Sequence, residues 1–215
     1  MPETNGKRIL ITAGPTHEPI DPVRFIGNRS SGKMGIAIAE EFSKSGARVT
    51  LVCGPSNVPS SDSINRINVQ TAQQMYDAVM DCKDESDVLI MSAAVADYRP
   101  KNTARQKIKK IEQTLSIELE PTKDILATLG KVKRKNQVLI GFALETENAV
   151  ENAKQKLVKK NCDLLVLNTL QDSGAGFGHD TNKVTILDRH NNIATFELKS
   201  KAAVAKDILQ AIIDY

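Results

Sequence analysis

Tryptophan is absent from this chain, and only three tyrosines and five phenylalanines occur in its 215 residues. So few aromatic rings leave little surface on which single-stranded bases stack, and a net charge of +3 is too small to argue for a nucleic-acid partner. Cysteine is scarce as well. Cys53, Cys82 and Cys162 are odd in number and far apart, with no C-x-x-C pair, which points to free thiols and a reducing, cytoplasmic compartment rather than a disulfide framework. The longest apolar stretch, VLIMSAAVA, is nine residues, about half of what a bilayer demands, and the first residues lack a signal-peptide layout. No membrane partner is expected. His17, His179 and His190 form no pair at metal-ligand spacing, although His17 lies in a loop where it could meet a substrate. The missing G-x-S-x-G disfavours a serine hydrolase. The missing G-x-G-x-x-G after the first strand disfavours a nicotinamide dehydrogenase.

What is present is an alternation of short apolar runs with helical periodicity, over a composition that is 40% hydrophobic and 26% charged. The runs RILIT, RVTLVC, INRINV, DVLIMSAA, LSIELE, QVLIGFA and DLLVLN read as strands. Between them, Ser30 or Ser31 is placed to cap a helix carrying Met34, Ile38 and Phe42, closed by Gly46. Thr71 and Gln74 have capping-box spacing ahead of Met75 and Val79. A helix from about Thr122 presents Ile125, Leu129 and Val132, and another covers about 148–160. The run 171–182 is rich in glycine and polar residues, 183–199 reads as a hairpin turning at Asn191-Asn192, and a last helix points Val204, Ile208 and Ile212 inward. The segment NTARQKIKKIEQT, 102–114, reads as the most mobile loop. This pattern predicts one α/β domain over residues 1–215: a Rossmann-like, doubly wound, mostly parallel sheet with an antiparallel hairpin extension.

Ligands on such sheets bind beyond the carboxyl ends of strands, where loops meet helix N-termini, which singles out the loops after RILIT, DVLIMSAA, QVLIGFA and DLLVLN, and PTKD before a helix. In the first of these, Gly27, Gly32 and Lys33 have the spacing of a P-loop, but Met34 stands where a Mg²⁺-binding Ser or Thr belongs. From spacing alone that loop reads equally as an anion cradle or as a capped helix with a glycine-rich approach. DVLIMSAAVADYRP runs into the small residues Ala93, Ala94 and Ala96 and ends in Asp97, which suits a sugar hydroxyl, a base amino group or a metal, or simply close packing. Lys107, Lys109 and Lys110 cluster in KIKK, and Lys156 and Lys160 share a helix face; lysines of this kind either bind a polyphosphate or solvate a surface. A non-catalytic nucleotide-binding module, a nicotinamide-dependent oxidoreductase and a nucleic-acid binder are the alternatives to a nucleotide-dependent enzyme.

Taken together and in this order, ITAGPTHEPIDPVRFIGNRSSGKMG, SAAVADYRP, KIKK, GFALET and GFGHDTN resemble the phosphopantothenoylcysteine synthetase family of coenzyme A biosynthesis, from Lys7 to Tyr215. The resemblance implies a ligase. The carboxylate of 4′-phosphopantothenate attacks the α-phosphate of the co-substrate CTP to give an acyl-cytidylate and pyrophosphate, and the amine of cysteine then displaces CMP. It implies that Asn28 holds the acyl-nucleotide and serves its conversion, that Lys107 activates the carboxylate, and that Arg24, in the same loop as Asn28, is catalytic with them. It further implies substrate or nucleotide contacts at Gly14, Ser31, Gly32, Lys33, Ala93, Ala94, Asp97, Thr122, Lys123, Asp124, Ile125, Phe142, Lys156 and Lys160. Bacterial members carry Asn-Pro before Asp-Ile where this chain has Thr122-Lys123. Mg²⁺ is expected to travel mainly on the triphosphate. A homodimer using the late hairpin, and a flavin-dependent decarboxylase as a fused domain or partner, are also implied.

Overall fold

The computed structural model describes residues 4–110, 114–169 and 179–215. Along the chain the elements are β1 (Arg8–Ala13), β2 (His17–Pro19), β3 (Phe25–Gly27), α1 (Lys33–Lys44), β4 (Arg48–Cys53), β5 (Asn65–Asn68), α2 (Ala72–Cys82), β6 (Val88–Met91), β7 (Tyr98–Pro100) and β8 (Leu119–Pro121). They continue with α3 (Ile125–Val132), β9 (Val138–Glu145), α4 (Ala149–Lys159), β10 (Leu164–Thr169), β11 (Thr181–Asn182), β12 (Val184–Asp188), β13 (Ile193–Thr195), β14 (Lys199–Ser200) and α5 (Lys201–Ile213).

Eight strands form one sheet in the order β13-β12-β10-β9-β6-β1-β4-β5. The six from β5 to β10 are mutually parallel, and β12 and β13 continue the sheet antiparallel. In chain order the parallel strands run 3-2-1-4-5-6, so the winding reverses between β1 and β6 and opens a crevice at their carboxyl ends. The expected α/β architecture is therefore present, with the hairpin as the sheet's own edge.

Alternate side chains of each strand face opposite sides of the sheet. Ile9, Ile11 and Ala13 of β1 pack with Ile38 and Phe42 of α1 and with Val204 and Ile208 of α5. Leu10 packs the other way, in a cluster with Met75 and Val79 of α2, Leu129 of α3 and Leu157 of α4. Phe42, Leu10, Met75 and Leu129 are fully buried, and burial of side chains this size contributes roughly 1.5–3 kcal/mol each. Gly35 lets α1 lie close on β1, because a Cβ there would sit 2.6 Å from the Ala13 side chain.

Several expectations hold in detail. The capping box of α2 forms, with Thr71 accepting from the Gln74 amide and the Gln74 side chain accepting from the Thr71 amide. The late hairpin turns at Asn191, in left-handed backbone, with the Asp188 carboxylate accepting from the amides of His190 and Asn192. Three expectations need correction. Neither Ser30 nor Ser31 caps α1; its N-cap is Gly32 at φ +80°, with no side-chain cap. A left-handed turn there favours glycine, and a Cβ would also lie 3.2 Å from Gly14 Cα. LSIELE is not a strand of the main sheet. Only Leu119–Pro121 is extended, in a two-stranded ribbon with β7, because the polar alternation of that run suits a solvated ribbon and not a doubly covered sheet. Val132 ends α3 at 49% exposure instead of joining the core. Of the glycine-rich run expected at 171–182, residues 171–178 lie outside the described residues.

Candidate active site

β1 does not lead directly into α1. The chain first makes the β2–β3 ribbon, then returns through Asn28–Ser31 to the N-terminus of α1. This detour separates it from a P-loop, in which the strand feeds the phosphate cradle at once. The returning loop and the loop after β6 meet at the crevice. Asn28 Nδ2 donates to Ala94 O at 3.0 Å and to Val95 O at 3.2 Å. Residues after β6 are held from behind: Ala93 N donates to Thr12 Oγ1, Ala94 N to Gly14 O, and Ala96 N to Thr16 Oγ1. Thr122 closes the other side, its hydroxyl donating to Ala96 O at 2.6 Å and its amide to Asp97 O at 2.9 Å.

Between these loops, α3 and α4 lies a cavity of about 790 Å³. Asn28, Ser31, Gly32, Lys33, Ala93, Ala94, Asp97, Thr122, Lys123, Asp124, Ile125, Phe142, Lys156 and Lys160 all line it. Gly14 does not; it stands behind the wall, where a Cβ would lie 3.0 Å from Gly54 O and where its carbonyl holds Ala94. Arg24 and Lys107 do not line it either. Arg24 pairs with Asp21 and donates to Ile108 O, and Lys107 is exposed on the neighbouring segment with Lys109 and Lys110. His17 is spent elsewhere, stacked on Phe25 with ring centroids 3.7 Å apart.

The cavity is built for negative charge. The amide end of α1 opens into it without a side-chain cap, an arrangement that favours anions. Lys156 is half-buried and donates to Phe142 O at 2.7 Å, and its burial pulls its pKa below the ordinary lysine value. Lys160 pairs with Asp124, which caps α3 through Ala127 N. Burial pushes the Asp124 carboxyl up, but the hydrogen bond from Lys160 and the Ala127 amide outweigh it and leave it low. Lys33 pairs with Asp180 from a segment 147 residues away. Lys123 Nζ lies 4.4 Å from the Tyr76 ring centroid, a cation–π contact that places this unusual lysine at the rim.

Sequence reasoning missed Asn168, Asn182 and Lys201, which also line the cavity. Asn182 Nδ2 donates to Asn168 Oδ1 at 3.0 Å, joining the end of β10 to β11, and Lys201 donates to His179 O. Asparagines after a buried strand were the available signal; that they meet is tertiary information.

Residues 4–215 match the family described as DNA/pantothenate metabolism flavoprotein C-terminal domain. The chain is 54% identical over 210 residues to a protein named cysteine/cysteine sulfinic acid decarboxylase, from an unknown prokaryotic organism, covering 97% of this chain and 58% of that protein. It is 46% identical over 208 residues to the coenzyme A biosynthesis bifunctional protein CoaBC of Bacillus subtilis (strain 168), covering 96% and 51%. The chain thus spans little more than half the length of these relatives. The crystal structure of the C-terminal domain of a coenzyme A biosynthesis bifunctional protein CoaBC superposes with a TM-score of 0.85 at 44% identity, covering 99% of this chain and 97% of that one. With its family match over almost its whole length, its sheet order and the site those strands carry, the chain belongs to the DNA/pantothenate metabolism flavoprotein C-terminal domain family.

Proposed function

We propose that this chain is a phosphopantothenate–cysteine ligase: it activates the carboxylate of 4′-phosphopantothenate with CTP and couples the acyl-cytidylate to cysteine, releasing CMP and pyrophosphate. The observation that carries this reading is the convergence of Lys33, Lys156, Lys160 and the open N-terminus of α1 on one cavity beside Asn28 and Asp97. Cations and helix amides disperse the charge of a triphosphate as pyrophosphate leaves. Asp97, exposed at the wall, accepts from a sugar hydroxyl or a base amino group. Asn28, fastened to the loop after β6, faces the acyl group. Lys107 approaches from outside the cavity when substrate is bound, and Arg24 supports that approach.

Among the described residues no three acidic, imidazole or thiol groups gather into a metal cage. The donor set therefore suits Mg²⁺ that rides on the phosphates with at most one carboxylate from the protein, Asp97 being the cavity's acid outside the Asp124–Lys160 pair. When bound, Mg²⁺ neutralises phosphate charge. A cytoplasmic setting, a homodimer and a flavin-dependent decarboxylase as fused domain or partner complete the proposal. No helix among the described residues is long and apolar enough to cross a membrane, and β13 leaves Ile193 exposed on the outer sheet edge, which suits a second copy.

The test is coupling of cysteine to 4′-phosphopantothenate with each of the four nucleoside triphosphates and Mg²⁺. Amide formation with one CMP and one pyrophosphate per turnover, CTP being preferred, is the expected result. Nucleotide binding without turnover would favour a regulatory module. Carbon dioxide release from cysteine would point to the chemistry named for the decarboxylase relative.

A further inference from the structure

We propose that Asp21 is a positioning residue: its buried carboxylate fastens the segment 103–108, and with it Lys107, to the loop that carries Arg24. The role given to Lys107 rests on the ligase reading above; the fastening itself does not.

Asp21 is 2% exposed in a proline-rich surface loop, an expensive place for a charge unless every lone pair is used. Its two oxygens have different partners. Oδ1 accepts from the amides of Val23 and Arg24, both at 2.9 Å, which closes the local turn. Oδ2 accepts from Arg24 Nε at 3.0 Å and, across 87 residues of chain, from Ile108 N at 3.1 Å. Arg24 Nη2 completes the link by donating to Ile108 O at 3.0 Å as well as to Asp21. Arg24 holds the Asp21 carboxyl well below the usual carboxylate range.

A turn needs only the Oδ1 bonds. The Oδ2 bonds hold the segment that the sequence marks as mobile. The same loop grips that segment twice more, through Thr103 Oγ1 to Pro19 O and Ala104 N to Ile20 O, both at 3.0 Å. Lys107 therefore lies between fixed points at Ala104 and Ile108, next to the residue whose amide and carbonyl are both engaged. A lysine on a fastened segment loses less conformational freedom when it engages substrate than one on a free loop. Asn28 follows at the far end of β3, so one carboxylate ties the start of the strand that leads to Asn28 to the segment that carries Lys107.

Two variants test this in the full 215-residue chain. Asp21→Asn removes the charge that both Arg24 and Ile108 share. Ile108→Pro deletes the Ile108 N–H and leaves the Arg24–Asp21 pair in place; it carries the test alone if Asp21→Asn loses its native circular dichroism. Trypsin cleavage after Arg105, which like Lys107 lies between the fixed points at Ala104 and Ile108, followed by mass spectrometry, should become about tenfold faster in each folded variant, as expected for loss of a charge-assisted bond that holds a locally opening segment. In Ile108→Pro, pyrophosphate release dependent on CTP and 4′-phosphopantothenate should fall about a hundredfold, the scale of a misplaced catalytic group, while coupling of cysteine to supplied acyl-cytidylate persists. Unchanged cleavage in both variants overturns the proposal, as does faster cleavage with unaltered pyrophosphate release, or equal loss of both half-reactions. If the wild-type chain releases no pyrophosphate, the ligase reading fails by itself, and the fastening stands or falls on the cleavage rates.

Discussion

Asn28→Asp is expected to release pyrophosphate at near the wild-type rate and to form amide about 10²–10³ times more slowly, so that acyl-cytidylate accumulates on the enzyme. The magnitude is that of a catalytic group moved out of place. The geometry explains the split. Asn28 Nδ2 spends its hydrogens on Ala94 O and Val95 O, which fixes the side chain between the loops after β1 and β6. An aspartate there sets oxygen against two carbonyl oxygens and has no N–H to offer. Lys33, Lys156 and Lys160, the lysines proposed to meet the triphosphate, have their own partners and are undisturbed. Rapid quench with separate measurement of pyrophosphate and amide checks this; matched loss of both would remove the assigned role.

Lys107→Gln is expected to do the opposite, lowering pyrophosphate release by about 10²–10³-fold while supplied acyl-cytidylate still reacts with cysteine. Replacing an ammonium by an amide of similar length keeps the reach and removes the charge proposed to meet the developing negative oxygens. Lys107 is exposed outside the cavity, so the fold should tolerate the change without loss of stability. Single-turnover measurement with each half-reaction started separately decides the matter. An unaltered first step would mean that Lys107 belongs to the solvated surface with Lys109 and Lys110.

Much of this architecture could be read before any coordinates. Periodicity alone located the parallel strands, because strands buried on both faces are short, apolar and continuous, and capping chemistry located α2 at Thr71. The start of α1 was misread because a serine beside a helix looks like a cap, whereas the packing of Gly32 against Gly14 is invisible in one dimension. LSIELE failed for a related reason: alternation marks extended backbone but not the sheet it joins. Most of the cavity's lining could be anticipated from the loops at strand ends and from the family resemblance. Asn168 and Asn182 were not, since their contact joins separate strands, and neither was Asp21, which in sequence resembles any turn residue before a proline.

The most direct measurement of the central claim follows one oxygen atom. 4′-Phosphopantothenate labelled with ¹⁸O in its carboxylate should pass one label to the phosphate of CMP during coupling to cysteine, because attack on the α-phosphate joins that oxygen to phosphorus and aminolysis then breaks its bond to carbon. Mass spectrometry of the released nucleotide reads the result. Amide formation that leaves CMP unlabelled, or that puts the label into pyrophosphate or inorganic phosphate, would contradict activation of the acid as a nucleotidyl ester in this cavity.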